Sequence, residues 1–218
     1  MDHDLRVLAD AEATAQAGAE LLAEVAREAV TRRGRCDAAV SGGRTPEVMF
    51  ERLAGLDVPW DRVTLYQVDE RVAPPGDPSR NLTNLMASLG TVTVRVEAMG
   101  VNDADLARAA SAYAAELPPR FDVVHLGLGP DGHTASLVPG DPVLDVVDRL
   151  VAVTQPYQSH RRMTLTYPCL SRADLLLWLV TGQEKRDALA RLAAGDTSIP
   201  AGRVTAARSV VLADAAAA

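Results

Sequence analysis

The sequence predicts an α/β fold in which a mostly parallel, doubly wound sheet carries helices on both faces. Three observations predict it. Short apolar runs of strand length alternate along the chain with longer segments of helical periodicity. Two of these apolar runs end in glycine-rich turns, as strands do where they deliver the chain into a loop. No repeat or low-complexity linker interrupts the 218 residues, so we expect one domain spanning residues 1–218.

The first third of the chain predicts a helix, a strand and a second helix. Residues 10–33 place apolar side chains at four-residue steps with charged residues between them, namely Ala13, Ala17, Leu21, Val25 and Ala29. Residues 36–41 form a short apolar strand, and a glycine pair follows it. Thr45 then suits an N-cap and Pro46 a first helical position, which predicts a helix from this point.

The later elements continue the alternation. Strands are expected at residues 63–68, 121–126, 150–154, 163–166, 175–180 and 209–212, and helices at 103–116 and 184–194. The connection 69–79 is polar, long and rich in proline and glycine, which is typical of a functional loop. The alanine-rich tail, residues 214–218, is expected to fray.

Composition excludes several classes of function. A net charge of -7 and a pI near 5.1 argue against nucleic-acid binding, which needs many cations against phosphate. Acidic residues throughout the first 30 positions argue against a signal peptide, and the longest apolar run is far too short to span a bilayer. We therefore expect a cytoplasmic protein without a membrane partner. Cys36 and Cys169 are expected to be reduced core thiols.

One segment combines glycines with a histidine directly after a predicted buried strand. It runs Gly127-Leu128-Gly129-Pro130-Asp131-Gly132-His133. Ligands of open α/β sheets bind at the carboxyl ends of strands, and imidazole transfers protons near neutral pH. His133 is therefore predicted to be a general base, with Asp131 either orienting its ring or serving as a turn residue. The alternative is a connector whose histidine merely caps the next helix.

A second glycine turn is predicted to bind phosphate. It comprises Ser41, Gly42, Gly43, Arg44 and Thr45, and it leads into a helix whose first backbone N–H groups have no intrahelical acceptor. The spacing matches neither a Walker loop nor a dinucleotide fingerprint, so a small phosphorylated metabolite fits better than a nucleotide. The alternative is plain helix-start chemistry.

Charged residues are expected to converge on the same sheet edge. Asp69, Glu70 and Arg71 directly follow the strand at 63–68. Arg71 suits a phosphate or an oxyanion, and either carboxylate could orient Arg71 or His133. Arg162 and Lys185 are further candidate cations. A solvated charged turn is the alternative for each of these groups taken singly.

Other chemistries lack their usual residues. The four histidines show no paired-ligand spacing and the two cysteines are isolated, so no metal site is predicted. The chain has no Gly-x-Ser-x-Gly elbow, which leaves water as the expected nucleophile.

Five motifs in order resemble the 6-phosphogluconolactonase family over nearly the whole chain. They are Ser41-Gly42-Gly43-x-Thr45-Pro46, Asp69-Glu70-Arg71, Gly127-x-Gly129-x-Asp131-Gly132-His133-Thr134-Ala135-Ser136, Arg162-x-Thr164-Leu165 and Gly182-x-x-Lys185. The resemblance implies a sugar-phosphate isomerase-type fold and hydrolysis of a small sugar-phosphate lactone, 6-phosphoglucono-1,5-lactone, without a cofactor.

The motifs assign roles to named residues as follows. The expected catalytic residues are His133, Asp131 and Arg71. The expected substrate- and phosphate-binding residues are Ser41, Gly42, Gly43, Arg44, Thr45, Asp69, Arg80, Asn81, Gly129, Arg162 and Lys185. Arg80 is included although the family often has Ser-Asn there, because this chain places Arg80 between Ser79 and Asn81.

Two alternatives stay open. Glucosamine-6-phosphate deaminases share the fold, but Val138 stands where their catalytic glutamate would be. A non-catalytic sugar-phosphate sensor usually accompanies a DNA-binding module, and no basic helix-turn-helix segment is visible in the sequence. The oligomeric state is left open.

Overall fold

The computed structural model describes residues 2–218, which form ten strands and six α-helices. The strands are β1 (Asp4–Leu8), β2 (Cys36–Val40), β3 (Val63–Gln67), β4 (Asp69–Arg71), β5 (Arg95–Glu97), β6 (Phe121–Gly127), β7 (Val151–Val153), β8 (Arg162–Leu165), β9 (Ala173–Val180) and β10 (Arg208–Asp214). The helices are α1 (Ala11–Arg33), α2 (Arg44–Ala54), α3 (Asn81–Leu89), α4 (Leu106–Glu116), α5 (Tyr167–Leu170) and α6 (Arg186–Ala193).

Seven strands form one parallel sheet in the order β1-β10-β9-β6-β2-β3-β5. From β2 the chain proceeds outward through β3 and β5, and it then returns to β6 and proceeds outward in the other direction. The strand order therefore reverses between β2 and β6. In open α/β sheets a ligand binds outside the carboxyl ends of the strands at such a reversal. The predicted mostly parallel sheet with helices is confirmed.

The two faces of the sheet carry separate cores. Alternate residues of β9 pack against α1 and α2 on one face of the sheet, namely Leu175, Leu177 and Leu179. Phe50 of α2 belongs to the same cluster. The intervening residues, such as Trp178, pack into the opposite cluster. Strands buried on both faces need apolar side chains at every position, which is why β9 reads as a continuous apolar run.

A small antiparallel sheet stands beside the main one and corrects part of the prediction. Its order is β4-β8-β7, so the strands expected at 150–154 and 163–166 do not join the parallel sheet. Strand β4 falls within the connection 69–79 that was expected to be a loop. It leaves β3 after a single residue, and its Glu70 pairs with Met163 of β8. A strand of three polar residues is too short to show an alternating pattern. Its partner strand β8 is also distant in sequence, so no local hairpin signal predicts it.

The carboxyl-terminal tail is held in place, contrary to the expected fraying. The backbone N–H of Ala217 donates to the Asp214 carboxylate at 2.8 Å, and Ala217 is buried. Arg186 donates to the carbonyl of Ala216 at 3.1 Å. Within residues 2–218, no helix is long and apolar enough to cross a membrane. Cys36 and Cys169 are both buried as free thiols.

Candidate active site

A cleft of about 640 Å³ opens at the carboxyl ends of the parallel strands, where the strand order reverses. Loops that follow β2, β3, β6 and β9 line it. It brings together the following residues predicted from sequence: Ser41, Gly42, Gly43, Arg44, Thr45, Asp69, Arg71, Asn81, Gly129, His133, Arg162 and Lys185. The predicted convergence of these loops is thus seen in the structure, and two predicted residues, Asp131 and Arg80, lie outside the lining.

His133 is held by the carboxylate two residues before it. Its Nδ1 lies 2.5 Å from Asp131 Oδ1, and the same oxygen accepts the His133 backbone N–H at 3.1 Å. Burial raises the pKa of Asp131, but its hydrogen bonds to His133, and the charge that His133 carries when protonated, outweigh burial and lower it. An ionised Asp131 accepts the Nδ1 proton, which leaves Nε2 as the acceptor of the neutral ring. No described residue hydrogen-bonds Nε2, and about a fifth of the side chain is exposed to the cleft.

Gly129 provides the space that the imidazole occupies. A Cβ atom built on Gly129 would overlap the His133 ring. The Gly129 N–H donates to the His133 carbonyl at 2.8 Å, so the turn closes on itself. The alternative of a helix-capping histidine fails, because residues 134–141 contain no helix in the structure.

The second glycine turn leads into α2 as predicted, with a shifted boundary. Helix α2 begins at Arg44 with Gly43 as its N-cap, so Thr45 is not the N-cap and Pro46 is the third helical residue. The Thr45 hydroxyl instead pairs with that of Thr181 at 2.6 Å. The N–H groups of residues 43–45 have no acceptor among the described residues. They form the positive end of an eleven-residue helix and suit an anion.

The Ser41 hydroxyl is hydrogen-bonded to the sheet. Its hydroxyl donates to the carbonyl of His125 at 3.0 Å, and its backbone N–H donates to His125 Nδ1 at 3.3 Å. Although Ser41 lines the cleft, its hydroxyl is committed to the neighbouring strand. Its role is to fix the start of the loop.

Asn81 joins three of the predicted residues. Its Nδ2 donates to Asp69 Oδ1 at 3.1 Å, and its Oδ1 accepts from Arg71 Nη1 at 2.8 Å. A Cβ on Gly42 would overlap this amide, so the glycine turn at residues 41–45 packs directly against it. Asn81 therefore sets the positions of Arg71, Asp69 and the glycine turn at once.

Asp69 connects this group to the histidine loop. Its Oδ2 accepts from the Ser136 hydroxyl at 2.5 Å, and both residues are buried. Ser136 N–H also reaches Thr164 Oγ1 at 3.3 Å. Because Asn81 and Ser136 both donate to its carboxylate, Asp69 links the start of α3 to the loop that contains His133.

Arg80 is the predicted binding residue that the structure places elsewhere. Its Nε lies 3.3 Å from a carboxylate oxygen of Glu70, and its Nη1 donates to Asn102 at 2.9 Å. Glu70 is fully buried and also accepts the N–H groups of Asn81 and Leu82, at 2.8 and 2.9 Å, which open α3. A buried carboxylate needs a cation, and Arg80 serves this one instead of the cleft.

Two cations in the cleft, Arg162 and Lys185, are salt-bridged to no carboxylate among residues 2–218. Arg162 is buried, its Nε has no hydrogen-bond partner among the described residues, and burial lowers its pKa. Burial likewise lowers the pKa of Lys185, although Glu184 and Asp131 oppose the shift. Burial without a counter-charge is costly for Arg162 and, to a lesser degree, for the partly buried Lys185, and an anionic ligand would favour both. Arg44 is exposed beside the same cleft.

Two residues that support the site were not singled out from sequence. Thr181 pairs with Thr45, and Asp214 accepts the N–H of Gly182 through both carboxylate oxygens at 3.1 Å. Thr181-Gly182 follows a predicted strand, which is the same signal that identified the other two loops. Across residues 2–218, no cluster of three or more histidine, cysteine, aspartate or glutamate side chains is arranged to hold a metal ion.

Comparison with known proteins identifies relatives along almost the entire chain. A sequence model for the family of glucosamine-6-phosphate isomerases and 6-phosphogluconolactonases matches residues 9–213. A 6-phosphogluconolactonase of Caulobacter vibrioides is 39% identical over 184 residues, which cover 78% of this chain and 79% of the relative. One from Streptomyces coelicolor is 35% identical and covers 96% of this chain and 91% of its own length.

Solved structures agree with the fold. A 6-phosphogluconolactonase from Thermotoga maritima superposes with a TM-score of 0.89 at 26% identity, covering 98% of this chain and 100% of that one. A monomeric glucosamine-6-phosphate deaminase has a TM-score of 0.84 at 18% identity, covering 98% of each chain, and shares the fold alone.

Proposed function

Because the chain belongs to the family of glucosamine-6-phosphate isomerases and 6-phosphogluconolactonases, we propose that it hydrolyses 6-phospho-D-glucono-1,5-lactone to 6-phospho-D-gluconate. The chain is a hydrolase that acts on carboxylic esters, as its relatives are. This reaction would place it in the oxidative pentose phosphate pathway. We further propose that it works in the cytoplasm on a small molecule, without nucleic-acid, membrane or cofactor partners.

The arrangement of His133 is the observation that carries the proposed mechanism. Asp131 accepts the Nδ1 proton, so Nε2 is the basic nitrogen of this cleft-lining histidine. Nε2 removes a proton from water as the water oxygen attacks the lactone carbonyl. The tetrahedral intermediate then collapses, the bond from the carbonyl carbon to the ring oxygen breaks, and Nε2 returns the proton to that oxygen. Asp131 stabilises the imidazolium between the two steps.

The phosphate is assigned to the cleft groups that lack partners. The N–H groups of residues 43–45 and the cations Arg162 and Lys185 would hold it, with Arg44 adding charge at the exposed side. A dianion there would satisfy helix-terminal donors and two cations for which burial is unfavourable.

The oxyanion is assigned to Arg71. The Gly129 N–H is unavailable for it, because that group already donates to the His133 carbonyl. Arg71 lines the cleft and is aimed by Asn81 and the carbonyl of Ser79 through a single nitrogen, Nη1. Its remaining N–H groups suit the charge that develops on the carbonyl oxygen.

The test follows acid release from freshly generated 6-phosphogluconolactone above the spontaneous rate. We expect His133→Ala to lower kcat about 10²- to 10⁴-fold, the usual range for a general base, with a smaller effect on KM. His3→Ala is the matched control, because the His3 side chain hydrogen-bonds Ser209 and lies outside the cleft lining. A near-normal kcat for His133→Ala would remove His133 from the mechanism.

Parallel substrates distinguish the alternatives. Acceleration confined to the phosphorylated lactone supports both the reaction and the phosphate site, whereas equal turnover of unphosphorylated gluconolactone contradicts the phosphate assignment. Ammonia release from glucosamine 6-phosphate would favour a deaminase. We expect none, because Val138, which stands in place of the deaminase glutamate, is buried and cannot transfer a proton.

A further inference from the structure

The tip of the hairpin between β7 and β8 packs against two residues that line the cleft, His133 and Arg162. The Tyr157 N–H donates to the His160 carbonyl at 2.9 Å, which closes a tight turn. The two residues within that turn, Gln158 and Ser159, adopt left-handed backbone angles, with φ of 48° and 68°. Such angles are unfavourable for residues other than glycine, so the fold bears a cost to keep this turn.

The ring of Tyr157 lies against two groups of the site. It meets the His133 imidazole edge to face, with ring centroids 5.8 Å apart and planes inclined by 67°. The Arg162 guanidinium carbon lies 5.1 Å from the centre of the same ring. Both distances are within the range of favourable aromatic and cation–π contacts. One side chain thus contacts the proposed base and a proposed phosphate cation.

Arg162 depends on this hairpin for its side-chain contacts. Its Nη2 donates to Gln158 Oε1 at 3.3 Å, and Tyr157 covers its guanidinium. The Nε of Arg162 has no partner among residues 2–218. No carboxylate is salt-bridged to Arg162 in this part of the chain, in contrast to Arg80, which is paired with Glu70.

We propose that Tyr157 is a positioning residue, which sets the orientation of both the His133 imidazole and the Arg162 guanidinium. The proposal rests on the proposed roles of these two residues. Asp131 fixes one nitrogen of the imidazole but leaves the ring free to rock about that hydrogen bond, and the tyrosine ring limits this motion. The aromatic ring is what matters, because the Tyr157 hydroxyl makes only one long contact, at 3.4 Å, with the exposed Gln158 side chain.

Three variants separate the ring from the hydroxyl and from general damage to the hairpin. Tyr157→Phe keeps the ring, Tyr157→Leu removes it, and Gln155→Ala trims an exposed neighbour outside the cleft lining. We expect Tyr157→Leu to lower kcat roughly 10-fold and to raise KM several-fold, since misplacing catalytic groups by about 1 Å costs up to ~10²-fold in rate. Tyr157→Phe and Gln155→Ala should stay within about twofold of the unaltered protein, because the ring is retained in both.

A spectroscopic readout tests the contact without relying on catalysis. The imidazole Cε1–H resonance of His133, assigned by its loss in His133→Ala, should move in Tyr157→Leu and stay in Tyr157→Phe, because ring current follows the ring. Unchanged kinetics and an unmoved resonance in Tyr157→Leu would overturn the proposal. A moved resonance with unchanged kcat and KM would also overturn it, because contact without consequence is not positioning. If His133→Ala retained its kcat, the general-base proposal would fail instead, and the resonance would still report on Tyr157.

Discussion

Acidification should weaken the fold through one buried side chain, His125 of β6. This imidazole is fully buried and packs edge to face against Phe50, with ring centroids 6.1 Å apart. Its Nδ1 accepts the N–H of Ser41, and its Nε2 has no partner within residues 2–218. Burial lowers the pKa of His125 from 6.5 to about 3, because the apolar surroundings cannot solvate an imidazolium.

The direction of the pH effect on stability follows from proton binding in the folded and unfolded states. The folded pKa of His125 lies below the unfolded one, so between about pH 6.5 and pH 3 the unfolded chain binds a proton that the folded chain does not. The free energy of unfolding therefore falls as the pH is lowered through that window. With one proton and an unfolded pKa of about 6.5, the loss between about pH 7 and about pH 5 is about 2 kcal/mol.

Urea unfolding of two proteins at two pH values isolates this contribution. His125→Asn cannot titrate, and its Oδ1 can replace Nδ1 as the acceptor for Ser41. Replacing the imidazole by the smaller amide lowers the stability of the variant at both pH values, so this cost cancels when the two pH values are compared. The remaining titratable groups are common to both proteins and cancel as well. We expect the unaltered protein to lose about 2 kcal/mol more than His125→Asn between about pH 7 and about pH 5. Equal losses in the two proteins would refute the assignment of a neutral, buried imidazole.

Three further substitutions test how the site is held. Gly129→Ala should lower kcat at least ~10-fold while circular dichroism stays unchanged, because its Cβ displaces the His133 imidazole; an unchanged kcat would contradict this. Asn81→Ala should raise KM and lower the urea midpoint, since Asp69 loses a donor and the packing against the glycine turn is lost. Ser136→Ala should destabilise the fold by about 1–3 kcal/mol in urea unfolding, because buried Asp69 loses its closest donor, and a loss below ~0.5 kcal/mol would argue against that bond.

The sheet could be predicted where burial on both faces forces continuous apolar sequence. Strands β6 and β9 are of this kind, and both were expected from their apolar runs. Strand β1 was missed because it is an edge strand, where Leu5 and Val7 are exposed and charged residues alternate with them. Strand β5 has only three residues, none of them buried, and so carries almost no pattern. Periodicity thus identifies strands in proportion to how deeply they are buried.

The site could be predicted as a set of positions but not as a set of contacts. That loops after β2, β3 and β6 converge follows from parallel topology alone. Which arginine lines the cleft does not follow from topology, because Arg80 and Arg162 are both loop or edge cations in the sequence. The structure separates them by one feature: Arg80 is salt-bridged to the buried Glu70, whereas Arg162 is salt-bridged to no carboxylate within residues 2–218.

Gly42 and Gly129 are a second case in which the sequence predicts a position but not its contacts. In sequence they indicate turns, and glycine is usually selected there for its access to left-handed backbone angles. Gly42 and Gly129 do not use such angles; they are required because Asn81 and His133 lie where a Cβ would be. Asn81 thus packs onto a glycine of a different turn, whereas His133 packs onto a glycine of its own turn. A Cβ at either glycine would displace Asn81 or His133, so under the proposed mechanism these glycines set the geometry of the site as directly as the side chains they accommodate.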